Sequence, residues 1–311
     1  MGERKRKIEA VLTGPCPCGS KRASHACCHD GTRWHKPAAA LGLKTLPKAL
    51  SHAKCYMRAL ESCEGTISGE HIISASVIRV LAGTGDFSVA GFPWLEDGEE
   101  RIIGPQNLTA NVLCRKHNSA LHPLDDAAGF FFSALKSSLE TATGRQHALV
   151  SGHDLERWLL KTAKVAAASG SFARGREQLS GAFAHDDLIL DMLDRHETWP
   201  EGSGLYCTMN AGDLASNHFR FQFQPLTNAR DELEGMALNI LGINFVLLLA
   251  PMDMEKYPFL RRAKYRPARI VISVPGKAAH WVTMSWDDDK RHEELTMTFV
   301  RSVPRRSGTA D

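Results

Sequence analysis

Apolar residues recur at helical spacing in two segments of the second half of the chain, 154–168 and 187–193. The first segment opens with an Asp, a residue suited to a helix N-terminus. Ser169 and Gly170 follow it and favour a helix end. The pattern therefore predicts one long and one short amphipathic helix.

After residue 204 the apolar period shortens to two, the spacing of a half-buried strand. Segment 219–224 alternates strictly between Phe and a polar residue. Further strands are predicted at 237–250, 269–274, 281–286 and 295–300, the first of them fully buried. Helices followed by strands of this kind predict an antiparallel sheet in an α+β arrangement.

The first half of the chain contains shorter elements between cysteine-rich and polar segments. Segment 87–103, with Pro93 and an Asp97-Gly98 pair, predicts an inserted hairpin. Segment 125–135 opens with two Asp and continues with three Phe, which predicts a capped helix. We therefore divide the chain into a basic N-terminal segment (1–45), a second domain (46–145) and an α+β domain (150–304).

Charge is distributed unevenly along the chain. Residues 1–54 hold eleven Lys or Arg and three Asp or Glu, a charge of +8, which leaves −5 for the other 257 residues because the total is +3. A basic N-terminal segment suits a polyanionic partner. The alternative is a basic tail that only raises solubility.

The sequence shows no signal peptide or membrane span. Its most apolar stretch, 237–252, is interrupted by Asn239, Gly242 and Asn244 and is too short to cross a bilayer. We therefore expect a cytoplasmic protein with no membrane partner. In that compartment eight cysteines are better explained by metal binding than by disulfides.

Four cysteines lie within thirteen residues near the N-terminus: Cys16, Cys18, Cys27 and Cys28. So short a segment cannot build an apolar core, so that a metal ion must organise it. The Cys-Pro-Cys-Gly-Ser run and the spacing of eight residues before the Cys pair resemble the SEC-C motif, a small zinc-binding adaptor for proteins or nucleic acids. His25 or His29 replacing one thiol is the alternative ligand set.

A second possible zinc site combines two separated pairs, Cys55 with Cys63 and Cys114 with His117. Four such ligands make a closed tetrahedral site of structural type. The alternative is that Cys55 is simply buried on a helix over 46–61.

Four polar residues lie near the ligands of this second site in the sequence. Glu70 and His71 precede an apolar pair, as at the end of a short strand, and Asn118 and His122 are spaced to share one helical face. Together with the cysteines, this order of residues resembles the HNH endonuclease family. The resemblance covers residues 55–135 and implies a zinc-stabilised ββα-metal core, treble-clef-like in architecture.

The resemblance also implies roles for these side chains. His71 would be the general base, and Asn118 and His122 would hold one catalytic divalent ion, Mg, Mn or Ni, beside two structural zinc ions. Glu70 stands where the family has an acidic residue, more often Asp, that completes the metal shell.

Three further residues have supporting roles in this interpretation. Asn111 would orient the ring of His71 or support the loop before Cys114, with Asn107 as its competitor, and Arg115 and Lys116 would contact phosphate. The predicted function is endonuclease cleavage of DNA, with RNA left open and a protein partner expected at the N-terminal motif. The alternative is a catalytically inactive zinc-finger protein that binds nucleic acid or protein.

The second half carries one basic cluster with an aromatic ring, at 261–266. Such a cluster suits contact with phosphate or a nucleic acid. A charged loop between strands is the alternative.

Overall fold

The computed structural model describes residues 11–140, 147–174, 177–179, 181–209, 220–250, 255–273, 278–288 and 290–298. The helices discussed below are α1 (Ala75–Ala82), α2 (Arg115–Ala120), α3 (His122–Glu140), α4 (Gly152–Ala168) and α5 (Asp186–Asp194). The strands up to residue 178 are β1 (Ile67–His71), β2 (Phe87–Ala90), β3 (Glu100–Ile103), β4 (Thr109–Cys114), β5 (His147–Ser151), β6 (Ala173–Arg174) and β7 (Glu177–Gln178). The later strands are β8 (Gly204–Thr208), β9 (Arg220–Thr227), β10 (Leu233–Ile240), β11 (Ile243–Leu248), β12 (Lys264–Tyr265), β13 (Arg269–Ser273), β14 (His280–Ser285) and β15 (Glu294–Thr298).

The largest sheet has seven strands in the order β12-β8-β11-β10-β9-β2-β3. Its β2–β3 pair confirms the hairpin predicted at 87–103. The single strand predicted at 237–250 is wrong, because the chain reverses there between β10 and β11. Leu241 and Gly242 form the two-residue turn with φ of 56° and 81°, the backbone that a tight hairpin with right-handed strand twist requires.

A second sheet of four strands has the order β15-β13-β14-β5. The β13–β15 and β14–β5 pairs are parallel, and so is the β2–β9 pair of the larger sheet. The prediction of an antiparallel sheet therefore holds for β12, β8, β11, β10 and β9 and is wrong for these three pairs, while the mixed α+β class is confirmed. A period of two marks a strand but says nothing about the direction of its neighbour.

Helix α4 lies at the centre of the molecule. It begins at Ser151, whose hydroxyl accepts the Asp154 amide, and ends before Gly170, as the pattern predicts. Its polar face, however, is buried like its apolar one. A helix of this kind is stable only if each buried charge finds a partner.

One of those partners lies within the helix, and the others come from distant parts of the chain. Arg157 binds Asp154 at 2.6 Å within the helix, and Lys164 binds Asp186 of α5. Glu156 accepts two hydrogen bonds from Arg266, at 3.0 and 2.9 Å. Arg266, from the basic cluster at 261–266, is thus committed to a buried ion pair.

One apolar core joins the regions that the sequence seemed to separate. It includes Leu43, Phe132 of α3 and Met297 of β15. Strands before and after residues 145–150 also share sheets, since β2 pairs with β9 and β5 with β14. In the described part of the chain, no helix is both long and apolar enough to cross a membrane.

Candidate metal centres and the polar cluster beside them

Strands β1 and β4 form a separate antiparallel pair, and β4 runs directly into α2. Ile67 lies opposite Cys114 at one end, and His71 lies opposite Thr109 at the other. A bulge between Ser68 and Glu70 shifts the register in the middle. The pair therefore carries the cysteine cluster at one end and Glu70 and His71 at the other.

Cys55, Cys63, Cys114 and His117 come together at the first end, with their ligand atoms all within 4.8 Å of one another. The Nδ1 atom of His117 lies 3.2 Å from the sulfur of Cys55, 3.3 Å from that of Cys114 and 3.9 Å from that of Cys63. All four side chains are buried. Three thiols and one imidazole at this spacing could hold a metal ion such as zinc.

The loop that carries Cys55 is not helical. Only a short 3-10 turn, Arg58–Leu60, lies between residues 46 and 61 together with extended and turn conformations. The alternative of Cys55 on an α-helix is therefore wrong. Burial raises the pKa of the Cys55 thiol to about 12, so that this thiol ionises together with metal binding and not by itself.

The ring of His117 is oriented by a residue that the sequence did not single out. Ser62 Oγ lies 2.8 Å from His117 Nε2, on the side of the ring away from the thiols. Burial, with a smaller contribution from Lys116, lowers the pKa of His117 to about 4, which keeps the ring neutral. With its proton on Nε2 and directed at Ser62, the ring presents the Nδ1 lone pair to a metal ion.

Cys16, Cys18, Cys27 and Cys28 form the other cysteine cluster, also with sulfur atoms within 4.8 Å. The loop turns at Gly19 (φ 80°), whose amide donates to the Cys16 carbonyl at 3.2 Å. A hydrogen bond from the Ser20 hydroxyl lowers the pKa of Cys27 to about 6. This cluster too could hold a metal ion such as zinc.

The two histidines weighed as substitutes lie outside this cluster. His25 Nδ1 bonds the Leu12 carbonyl at 2.9 Å, and His29 Nδ1 accepts the Gly31 amide at 3.0 Å. Neither belongs to the group whose donor atoms converge. The donors that converge here are the four thiols.

The loop of residues 16–28 that carries these four cysteines, called the N-terminal knuckle below, packs against the rest of the protein. The Leu149 amide of β5 donates to the Pro17 carbonyl at 3.0 Å, and the Phe130 ring of α3 covers Gly19. A Cβ at Gly19 would lie 3.0 Å from that ring. The packing leaves room for glycine only, so that the Gly of the Cys-Pro-Cys-Gly-Ser run serves both the turn and the docking.

At the other end of the β1–β4 pair, Glu70 is buried in an ion-paired cluster. Lys161 of α4 places its Nζ 2.6 Å from a Glu70 oxygen and 2.6 and 2.7 Å from the two Asp125 oxygens. Burial raises the pKa of Glu70, and the Lys161 charge acts against this rise. The negative charge of Glu70 is thus compensated by Lys161 of the same chain.

Two more residues hold the cluster in place. Trp158 Nε1 donates to Ser74 Oγ at 2.7 Å, and the Ser74 hydroxyl donates to Asp125. Sequence reasoning missed Lys161 and Ser74. The only signal for Lys161 was its polar position on a helix, which predicted exposure to solvent.

His71 lies at the end of β1, half-buried beside this cluster. Burial, together with the Lys161 charge, lowers its pKa below the usual 6.5. The imidazole is therefore neutral near pH 7 and can accept a proton. Asn111, predicted to orient it, is exposed on β4, with its side-chain oxygen 3.9 Å from the position of a Cβ on Gly69. Within the described chain, no hydrogen bond joins Asn111 to His71.

Asn118 and His122 lie on successive helices, not on one helical face. Helix α2 ends at Ala120 and α3 begins at His122, because Pro123 has no amide hydrogen to continue the earlier helix. Asn118 Nδ2 donates to Ser68 Oγ at 3.2 Å, and its buried Oδ1 has no hydrogen-bond partner in the described part of the chain. His122 is exposed, near enough to affect the pKa of Glu70.

Arg115 and Lys116 lie on the outer side of the cysteine site. They line a cavity of about 480 Å³ with Glu64, Gly65, Thr66 and Ser119. Lys116 donates to the Pro47 carbonyl at 2.8 Å, while the Arg115 side chain is exposed. Arg115 is therefore the better placed of the two to bind an anion.

Comparison with known proteins gives no further guide. The chain matches no protein-family model, no curated protein and no solved structure.

Proposed function

We propose that the protein is a metal-dependent endonuclease of HNH (ββα-metal) type that hydrolyses phosphodiester bonds in DNA. One observation carries the proposal. The β1–β4 pair has His71 at one end and the Cys55–Cys63–Cys114–His117 site at the other, and it continues into α2 with Asn118. A strand pair that is stabilised by a metal ion can position a general base and a phosphate-binding site without a large apolar core.

His71 is the general base of the proposed reaction. Its lowered pKa keeps the imidazole ready to accept a proton at neutral pH. The ring takes a proton from a water molecule whose oxygen forms the new bond to phosphorus. The bond from phosphorus to the leaving oxygen breaks, and that oxygen takes a proton from solvent.

The residues predicted to hold the catalytic ion fit this role in part. Among the residues that the structure describes, the buried Oδ1 of Asn118 has no hydrogen-bond partner, as expected of an oxygen that binds a cation, and the His122 ring is exposed. A bound Mg, Mn or Ni ion would neutralise charge on the scissile phosphate. Glu70 does not fit as a direct ligand, because Lys161 already occupies its carboxylate. We assign Glu70 to positioning β1 instead.

The DNA backbone is bound by positive charge on two surfaces. Arg115 lies at the mouth of the cavity beside the cysteine site. The N-terminal 54 residues contribute a charge of +8. Contacts of this kind hold the duplex in place without reading its sequence, and they weaken as salt rises.

A second function is favoured by the ion pair between Glu70 and Lys161. If the acidic residue is permanently neutralised, the same scaffold can act as a zinc-finger module that binds nucleic acid or protein without cutting. The separation of Asn118 and His122 onto two helices points in the same direction.

Cleavage of supercoiled plasmid DNA distinguishes the two functions. We expect nicking or linearisation with Mg²⁺, Mn²⁺ or Ni²⁺, lost in His71→Ala and kept in His52→Ala. His52 is a half-buried histidine whose ring accepts the Lys54 amide, and its contact with Cys55 is made by the backbone carbonyl, which the substitution keeps. Zinc content must be equal in all three proteins. If no metal supports cutting by protein that retains both zinc ions, the binding module replaces the nuclease.

A further inference from the structure

A third group of possible metal ligands lies apart from both cysteine clusters. His153 at the start of α4, His196 in the 3-10 turn after α5 and Asp287 after β14 place one ligand atom each within 4.8 Å of one another. The sequence showed only scattered histidines, because 134 residues separate His153 from Asp287.

The carboxylate of Asp287 is at the centre of this group. One of its oxygens lies 3.0 Å from His196 Nε2, and the other bonds His35 Nε2. The backbone amide of Asp287 donates to His153 Nε2 at 3.1 Å. The His153 and His196 rings lie 4.3 Å apart between centroids. Four segments of the chain therefore meet at one carboxylate.

The ring of His153 is oriented by a hydrogen bond. Its Nε2 accepts the Asp287 amide, so that any ring proton is on Nδ1, and a metal ion would replace that amide as the partner of the Nε2 lone pair. Among the described residues the buried Nδ1 has no hydrogen-bond partner, and a Glu156 oxygen lies 3.7 Å from it. Arg266 and the Leu205 amide fix that Glu156 carboxylate. A carboxylate that accepts the outer N–H is the usual support of a metal-bound histidine, and Glu156 would have to move closer to Nδ1 to provide it.

We propose that this group is a binding site for a divalent transition-metal ion of the zinc class. His153, His196 and Asp287 are its ligands, and His35 is the candidate fourth. Two or three imidazoles with one carboxylate favour Zn²⁺, Co²⁺ or Ni²⁺ over Mg²⁺ or Ca²⁺, which prefer oxygen. The proposal does not rest on the nuclease function.

The position of the site indicates what the ion does. It ties residue 35, just after the N-terminal knuckle, to α4, to the turn after α5 and to the loop after β14. The side chains of His196 and Asp287 are 27% and 24% exposed, so that solvent reaches the ion. We therefore expect weaker binding than at the two buried cysteine-containing sites, and earlier removal by chelators.

Metal stoichiometry of the full chain tests the proposal. After dialysis against buffered Zn²⁺, we expect three zinc ions per chain, two at the cysteine clusters and one at this site. Asp287→Asn and His196→Gln should each lose one ion. His185→Gln is the matched control, because His185 is an exposed histidine next to α5 and outside the group. Two ions per wild-type chain would overturn the proposal and leave the group as hydrogen-bonded residues only.

Titration of Ni²⁺ gives a second readout that does not depend on total zinc, in protein from which a mild chelator has removed the ion of this site while both cysteine clusters keep theirs. We expect one equivalent to bind through imidazole and carboxylate, with no thiolate-to-nickel absorption band. Binding should be lost in His196→Gln and kept in His185→Gln. A thiolate band, or equal binding by both variants, would contradict the site. If a variant does not fold, the wild-type stoichiometry and the absence of the thiolate band still decide the question.

Discussion

At the scale of single residues, Ser62 decides which nitrogen of His117 faces the three thiols. Its hydroxyl is 2.8 Å from Nε2, inside the protein. Histidine ligands bind more tightly when the outer nitrogen has a fixed acceptor, because the ring is then already oriented. Nothing in the residue type or spacing of Ser62 marks this role.

We therefore expect Ser62→Ala to weaken zinc binding at the Cys55–Cys63–Cys114–His117 site by about 10- to 100-fold. Competition with a chromophoric chelator measures the affinity. Ser119→Ala is the control, since Ser119 is an exposed serine on α2, in the same helix as His117. Equal affinities in the two variants would show that the Ser62 contact does not support the site.

Lys161 is a second residue whose effect depends on its surroundings. It is 1% exposed and is the counter-ion of both Glu70 and Asp125. Replacing it by Met should destabilise the protein by about 3 to 5 kcal/mol, because two carboxylates lose their cation. Chemical denaturation measures the change.

A surface pair supplies the contrast for Lys161. Lys48 binds Glu61 at 3.0 Å but is 79% exposed, so that Lys48→Met should cost less than about 1 kcal/mol. The double variant Lys161→Met with Glu70→Gln should recover part of the loss. If Lys161→Met proves as mild as Lys48→Met, the buried cluster is not a stabilising ion pair.

His147 gives a prediction on pH. Its ring packs between Trp34 and Trp281 and bonds Thr283 at 3.1 Å. Burial, with the Arg269 charge, lowers its pKa from 6.5 to about 4. Below pH 6.5 the unfolded chain takes up a proton that the folded chain does not. Its contribution to stability is therefore complete above about 6.5 and falls as the pH drops towards 4.

We expect the melting temperature of the wild type to fall between pH 7 and pH 5.5 more steeply than that of His147→Gln. Gln keeps a hydrogen-bonding group at this position but does not titrate. Zinc content is measured at each pH, because acid also releases thiolate-bound metal. Parallel curves for the two proteins would exclude His147 as the source of the slope.

At the scale of elements, the hairpin between β10 and β11 shows how local backbone geometry controls register. The two strands pair from Gly235–Leu248 to Ile240–Ile243, and the turn needs positive φ at both central positions. Gly adopts this conformation without steric cost, whereas a Cβ makes it unfavourable.

Gly242→Ala should therefore destabilise the protein by about 1 to 2 kcal/mol through the turn alone. Gly85→Ala is the control: Gly85 has no positive φ, and a Cβ there would make only an ordinary contact, 3.5 Å from the Ala82 carbonyl. Urea denaturation of both variants measures the difference. A Gly242→Ala protein as stable as the control would mean that the turn tolerates L residues.

At the scale of the whole molecule, the N-terminal knuckle is docked against α3 and β5, far along the chain. Its contacts with Phe130 and Leu149 depend on the shape of a loop whose four thiols converge and could hold a metal ion. An ion bound there would link this end of the chain to the packing of the core.

We expect the double variant Cys16→Ser with Cys18→Ser to lose one zinc ion, and hydrogen exchange of the Leu149 amide to rise. That amide is protected by the Pro17 carbonyl. Cys207→Ala is the control for cysteine loss, because Cys207 is buried in β8 and belongs to neither cluster. Unchanged exchange at Leu149 would show that the knuckle docks without its metal.

The sequence predicted those features that depend on residue type and local spacing. The two cysteine groups, the helices at 154–168 and 187–193 and the hairpin at 87–103 all lie where the pattern placed them. The type of a metal-binding residue and the spacing of apolar residues can be read directly from the sequence. Predicting these features therefore needs no knowledge of distant contacts. The nuclease function itself remains a proposal.

Only the tertiary structure decided what lies opposite each of these features. It paired Lys161 with Glu70, divided the Asn118–His122 segment between two helices at Leu121 and made three strand pairs parallel. It also gathered His153, His196 and Asp287, which no spacing could connect. Burial, ion pairing and strand direction depend on contacts between residues that are distant along the chain. A single sequence contains all of these residues but does not show which of them come into contact.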